Sequence, residues 1–279
     1  MGVIQDEAFS TLQAVAEFSQ SSFGERFLAA YAMGSLARGG FSPLVSDVDF
    51  GLILTGGLTR TDQQTVADIA ASARACQWPL AERLSIFWSS REQLQGACTG
   101  GRFPPFDRLD LLDHGVLLAG TECRVGMVRP TTAMLEIDGL EFALDYLATP
   151  TRVAEFLDPA QIVDKGPLYL SKTVLFPARF LYTSQTGLVA GNDNASAYYV
   201  SHFEGPDAEL VADTYDWRSR NMAPTDANQL VESLESGLLP LYENFLTHYQ
   251  QRMQTLGRLD LSERALGWGR SLELQCFAP

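Results

Sequence analysis

Two carboxylates separated by one apolar residue, Asp47-Val48-Asp49, are the residues here best suited to chemistry. On a strand, side chains alternate between faces, so Asp47 and Asp49 point one way while Val48 and Phe50 point into a core. Like charges side by side repel unless a cation lies between them. Hard oxygen ligands on one face suit Mg²⁺, which takes one or two protein carboxylates together with substrate phosphates. Thirteen positions before Asp47 stands Gly34, followed by Ser35 and Arg38. Gly34 permits close approach of backbone to a ligand. Ser35 offers a hydroxyl and an amide at the start of a helical turn, where free N–H groups and the dipole attract anions. Arg38, one turn on, adds a charge-assisted donor for a phosphate oxygen. A phosphate seat beside a metal-binding pair suits metal-assisted transfer of a nucleotidyl group.

The elements that must position these groups are legible around them. Residues 27–54 read as strand, tight turn, short helix, loop and second strand, with Asp47 and Asp49 both on the second strand. Residues 7–20 read as an amphipathic helix, residues from about 59–61 to 76 as another, and Leu84–Trp88 as a strand after the helix-breaking Pro79. Residues 91–106, rich in Gly and Pro, read as a loop after a short helical turn. Asp107, Arg108, Asp110 and Asp113 read as structural or rim charges, and residues 115–120 as a last, buried strand.

Past Arg129-Pro130 the pattern turns helical, with long runs starting at Thr131, Leu168, Asn194 and Asn228. The expected fold class is α+β: an N-terminal domain with a mixed β-sheet and helices, then a C-terminal α-helical bundle. The boundary falls near residues 125–131, giving domains 1–128 and 129–279. Pro177 is expected to kink its helix.

Gly34-Ser35, eleven residues, then Asp47-Val48-Asp49-Phe50, with Ser46 before the first Asp, resembles the signature of the DNA polymerase β nucleotidyltransferase superfamily. The resemblance implies that a third carboxylate comes from the neighbouring strand as metal ligand or base. Glu82, at the mouth of the 84–88 strand, is the candidate. It implies that Asp47, Asp49 and Glu82 are catalytic and hold Mg²⁺, and that Gly34, Ser35, Arg38 and Ser46 bind the nucleotide. A second stretch, Lys172 through Arg179 and Tyr182 to Thr186-Gly187, resembles the C-terminal domain of aminoglycoside adenylyltransferases of the streptomycin and spectinomycin type. That likeness implies that Lys172 and Arg179, seven apart on one helix face, hold ATP phosphates. The family commonly carries a Lys soon after the Thr-Gly turn; here the segment reads Gly191-Asn192-Asp193-Asn194.

Charge narrows the acceptor. The chain of 279 residues carries a net charge of −14. Such a balance repels a nucleic-acid backbone and argues against a polymerase or a tRNA-modifying enzyme. Residues 129–279 hold 11 Lys and Arg against 20 Asp and Glu, and residues 1–128 hold 9 against 14. The acidic helical half suits a cationic acceptor. Candidate contacts are Glu136, Asp138, Glu141 and Asp145, and Asp213 and Asp216 beside Tyr215 and Trp217. The expected reaction moves AMP from ATP to a hydroxyl of a small cationic molecule, an aminoglycoside first. Alternatives are adenylylation of a protein, or a catalytically inactive nucleotide-binding module.

Other features set limits. Cys76, Cys98, Cys123 and Cys276 are scattered, with no CxxC pair, and three His form no cluster. Neither a zinc site nor a disulfide framework is indicated, and a reducing cytoplasm fits. No apolar run reaches the roughly 20 residues that span a bilayer, and the start MGVIQDEAFS lacks a secretion-signal pattern. The expected state is a cytoplasmic monomer or homodimer with no nucleic-acid or membrane partner.

Overall fold

The computed structural model describes residues 2–96, 100–189, 191–220 and 227–276. Contacts divide the chain into two compact units, Met1–Pro130 and Thr131–Pro279. The fold is α+β, with a four-stranded mixed sheet in the first unit and helices throughout the second.

Unit 1 runs α1 (Gly2–Phe23), β1 (Phe27–Ala32), α2 (Gly34–Ala37), β2 (Val48–Leu54), α3 (Asp62–Ala75), β3 (Leu84–Ser90), α4 (Arg91–Gln95), α5 (Pro105–His114) and β4 (Val116–Gly120). The sheet order is β3-β2-β1-β4. β1 pairs antiparallel with both β2 and β4, while β2 and β3 are parallel and joined through α3.

Each face of the sheet has its own core. On one face, Ala30 and Ala32 of β1, Val48, Phe50, Leu52 and Leu54 of β2, and Leu84, Ile86 and Trp88 of β3 pack with α1 and α3. Leu12, Val15 and Ala16 supply the α1 stripe, and Val66, Ile69 and Ala73 the α3 stripe, at helical spacing. The other face packs Ala29, Tyr31, Ile53 and Phe87 with Leu94, Phe103, Leu111 and Cys123. Asp49 and Ser85 belong to that second face by strand alternation.

β4 differs from the buried strand expected at residues 115–120. It pairs on one side only, and Val116 and Leu117 stay 42% and 39% exposed. Asp47 likewise lies just ahead of β2 rather than on it. Cys98 falls outside the described residues; Cys76 and Cys123 are free thiols.

Unit 2 comprises α6 (Thr132–Tyr146), α7 (Pro150–Ala154), α8 (Ala160–Asp164), α9 (Pro167–Thr186), α10 (Asn192–His202), α11 (Pro206–Arg220), α12 (Ala227–Thr255) and α13 (Leu259–Cys276). Thr131 caps α6 by accepting from the Met134 amide, and Gly187, at φ +70°, closes α9 in the left-handed conformation. Pro177 does not end α9. Proline has no N–H, so the Thr173 carbonyl four residues earlier loses its helical partner. The buried Tyr242 hydroxyl of α12 donates to that carbonyl at 2.9 Å. Among the described residues, no helix is long and apolar enough to cross a membrane.

Candidate active site

The site starts from a glycine. Gly34 opens α2 with φ +65°, a conformation that L side chains rarely adopt. An added Cβ would lie 1.9 Å from Oδ2 of Asp49 and 2.8 Å from its Cγ. The Asp49 carboxylate therefore rests directly on the Gly34 backbone. The Met33 amide donates to the Asp49 carbonyl at 3.0 Å, fastening the β1–α2 turn to β2. The Gly-Ser turn and the second Asp of the signature form one contact unit.

Asp47 and Asp49 are both half-buried, whereas Val48 and Phe50 are fully buried. The alternation of half-buried and buried positions thus continues through Asp47 although it precedes the strand. Ser46 is buried, and its hydroxyl accepts from the Ser42 amide at 2.9 Å. Its own amide donates to the Ser42 carbonyl at 2.9 Å, so Ser46 locks the turn that delivers Asp47. Arg83, in the turn just ahead of β3, donates to the Pro43 carbonyl and braces the same loop. Ser35 is half-buried on the single turn of α2, and its carbonyl accepts from the Gly40 amide at 2.9 Å.

Asp110 of α5, one of the charges expected to be structural or at the rim, holds the Gly34 turn. It is 4% exposed. Its Oδ2 accepts from the Gly34 amide at 2.7 Å, and its Oδ1 pairs with the Arg38 guanidinium. Arg38 is therefore gripped by Asp110 rather than extended into solvent. Asp110 is 76 residues from Gly34 in the chain, so no local pattern announces the contact. Arg108, also on α5, is 5% exposed, and its Nε has no hydrogen-bond partner.

Glu82 is not brought to the pair. It sits in a 3₁₀ turn, Ala81–Arg83, ahead of β3. Its side chain is 84% exposed and lies 3.7 Å from Arg74 Nε of α3. α3 packs on the sheet face opposite to Asp49, so the Glu82 carboxylate is directed away from it. The β3 position in register with Asp49 is Ser85, and β3 (LSIFWSS) contains no acidic residue. Among the described residues, no group of three or more His, Cys, Asp or Glu side chains is arranged to hold a metal. Asp47 and Asp49 offer hard oxygens of the type Mg²⁺ takes, with the remaining ligands left to phosphate and water.

In unit 2, Lys172 and Arg179 are half-buried on one stripe of α9, and Arg179 Cζ stands 5.7 Å from the Phe176 ring. At the α10 start, the Asn192 side-chain oxygen accepts from the Arg218 guanidinium of α11 at 3.1 and 3.2 Å in its favoured amide orientation. A cation from another helix thus stands beside the segment that lacks a Lys.

The proposed acceptor carboxylates divide. Glu136 is fully buried and held by Arg252 at 2.7 and 2.9 Å, with Ser184 also donating to it. It is a structural anchor and not open to a ligand. Glu141 pairs with Arg258, and Asp145 pairs with Arg264. Asp216 pairs with Arg220 at 2.8 Å. Asp213 is different: burial and its neighbours Glu209 and Asp216 push its carboxyl above the usual range. Ser184 also meets Nε2 of His248 at 2.7 Å. Burial pulls the His248 ring below its ordinary value of 6.5.

The sequence matches no family model and no curated protein. The fold is similar to that of spectinomycin adenyltransferase AAD(9) from Enterococcus faecialis, solved with ATP and spectinomycin. The TM-score is 0.54 at 14% identity, over 81% of this chain and 99% of that one.

Proposed function

We propose that the protein is a Mg²⁺-dependent nucleotidyltransferase that moves AMP from ATP to a hydroxyl of a small cationic acceptor, with aminoglycosides the leading class. The observation that carries this reading is the Asp49 carboxylate seated on Gly34, two residues after the half-buried Asp47. It joins an anion seat to a carboxylate pair in one short segment. The structural likeness to an adenyltransferase solved with ATP and spectinomycin supports the same reaction class.

In this reading Asp47 and Asp49 hold Mg²⁺, which neutralises charge on the phosphates. Ser35 and Arg38 orient the triphosphate, with Ser46 fixing the Asp47 loop. Lys172 and Arg179 of α9 are further phosphate holders. The acceptor oxygen forms a bond to the α-phosphorus, and the bond from that phosphorus to the bridging oxygen of the β-phosphate breaks. Pyrophosphate leaves with that electron pair. The hydroxyl proton passes to the Asp47–Asp49 pair, because Glu82 faces the other side of the sheet and β3 presents Ser85.

That serine favours one second reading: a module that binds nucleotide without transferring it. The separating experiment is pyrophosphate release from ATP with Mg²⁺, screened against streptomycin, spectinomycin and kanamycin, with Asp47→Asn as control. Release that depends on one drug and vanishes in Asp47→Asn supports transfer. Tight ATP binding with no release against any acceptor, proteins included, supports the module.

A further inference from the structure

Arg102 adds one antiparallel rung to the outer edge of β3. Its amide donates to the Trp88 carbonyl and the Trp88 amide donates to its carbonyl, each at 2.8 Å. Gly101 before it has φ +80°, and an added Cβ would lie 2.3 Å from the Trp88 carbonyl oxygen, so glycine is what lets the chain come this close. From that rung the Arg102 side chain runs back along β3. Its Nη1 donates to the Ile86 carbonyl at 2.8 Å, its Cζ lies 4.6 Å from the centre of the Phe87 ring, and its Nη2 donates to Ser85 Oγ at 3.3 Å. These three contacts fix the guanidinium at the end of β3 that faces Asp49 in register.

Ser85 is half-buried and shares a sheet face with Asp49 on the neighbouring strand. Adjacent strands lie about 4.8 Å apart, so a ligand held at Asp49 is within reach of the Ser85 hydroxyl. A guanidinium has donors and no acceptor, so in its contact with Arg102 the Ser85 oxygen accepts. The hydroxyl proton is then left for another partner, and among the described residues none takes it. Contact with a cation also polarises the hydroxyl and strengthens it as a donor. Arg102 itself is exposed and pairs with no carboxylate among the described residues. A cation-backed donor beside Asp49 suits an anion that arrives with its own metal, as a magnesium nucleotide does.

We propose that Ser85 binds phosphate, its hydroxyl donating to a non-bridging phosphate oxygen of the nucleotide, and that Arg102 is the positioning residue that turns the Ser85 proton toward it. The inference rests on the nucleotidyltransferase reading and adds to it a donor at the β3 position in register with Asp49. Ser85 touches the ligand, whereas Arg102 acts through Ser85. The donor pair neutralises charge on the phosphate without competing with Asp47 and Asp49 for the metal.

The test is calorimetric titration of the full chain with ATP and Mg²⁺, with a melting curve to check the fold of each variant. Ser85→Ala should weaken binding about tenfold, the loss expected for one hydrogen bond to a charged group. Ser85→Thr keeps the hydroxyl and should bind as wild type does. Arg102→Ala should weaken binding less than Ser85→Ala, and the double variant should bind no worse than Ser85→Ala alone. ATP bound equally well by Ser85→Ala and wild type would overturn the phosphate contact, while the nucleotidyltransferase reading would survive. Ser85→Thr as weak as Ser85→Ala would also overturn it. Losses that multiply in the double variant would overturn the action of Arg102 through Ser85. Wild-type protein that binds no ATP would overturn both the contact and the reading it rests on.

Discussion

The Asp49 carboxylate lies against the α-carbon of Gly34, close enough that a single methyl group there would sit 1.9 Å from its Oδ2. This contact makes the glycine a requirement of the carboxylate and not merely of the turn. Gly34→Ala should therefore fail twice. A side chain at φ +65° costs about 1–2 kcal/mol, and displacing Asp49 removes a metal ligand. Loss of transfer by more than about a hundredfold is expected, with a lowered melting temperature. Full activity in Gly34→Ala would mean that Asp49 does not work from this position.

Asp110→Asn tests the grip on the phosphate seat. The amide can still accept from the Gly34 N–H, but Arg38, whose side chain is only 13% exposed, loses its charge partner. Removing one partner of a buried ion pair costs about 3 kcal/mol. Urea denaturation should report that loss. The Michaelis constant for ATP should rise more than turnover falls, because the seat is loosened before the reacting atoms are touched. Unchanged stability would show that the ion pair is not formed in solution.

Glu82→Gln should have turnover within about twofold of wild type, since the side chain is 84% exposed and directed toward Arg74. Ser85→Asp, in register with Asp49, is the informative companion. A large loss in Glu82→Gln with the fold intact would return Glu82 to the site.

Acid should weaken unit 1 through Asp62. The Arg26 guanidinium, at 2.5 and 2.8 Å, holds its carboxyl at about 2 against burial, and the Thr59 hydroxyl and amide assist. A depressed carboxyl contributes stability above its unfolded value of 3.8, and that stability is lost as pH falls from about 4 through about 2. Asp62→Asn should flatten this part of the stability–pH curve, measured by urea midpoints, and cost about 2 kcal/mol at pH 7. A curve that keeps its slope in the variant would assign the acid sensitivity elsewhere.

His248 should act in a higher range. Its ring is held below 6.5 by burial, so it contributes stability above that value and loses it as pH drops below 6.5. His248→Gln should remove the corresponding slope in melting temperature below about pH 6.5, and a slope kept in the variant would place the sensitivity elsewhere.

The parts legible in the sequence are those governed by neighbours in the chain. Asp47-Val48-Asp49-Phe50 announces its two sides because alternation is a property of consecutive residues, and the burial of Val48 and Phe50 follows it. α1, α3 and α9 are likewise visible as stripes of apolar residues. Glu82 does stand at the mouth of β3, but within a 3₁₀ turn, and strand alternation does not extend through such a turn to fix where its side chain points. α11 and α13 are not among the helical runs the sequence marks out, and their Leu210, Val211, Leu261 and Ala265 are buried where neighbouring helices pack on them. Asp110 reads in the sequence only as a structural or rim charge, since its partners Gly34 and Arg38 lie more than seventy residues earlier.

The sheet order has a consequence for how the chain is made. β1 is an inner strand, yet its two partners come from residues 48–54 and 116–120. On a ribosome, β1 and β2 can pair early, while the far side of β1 must wait for β4, about sixty residues later. During that interval an Ala- and Tyr-bearing strand presents unsatisfied amides and carbonyls to whatever chain is near. Nascent fragments ending before Val116 should thus clump or recruit chaperones, and fragments that include Gly120 should not.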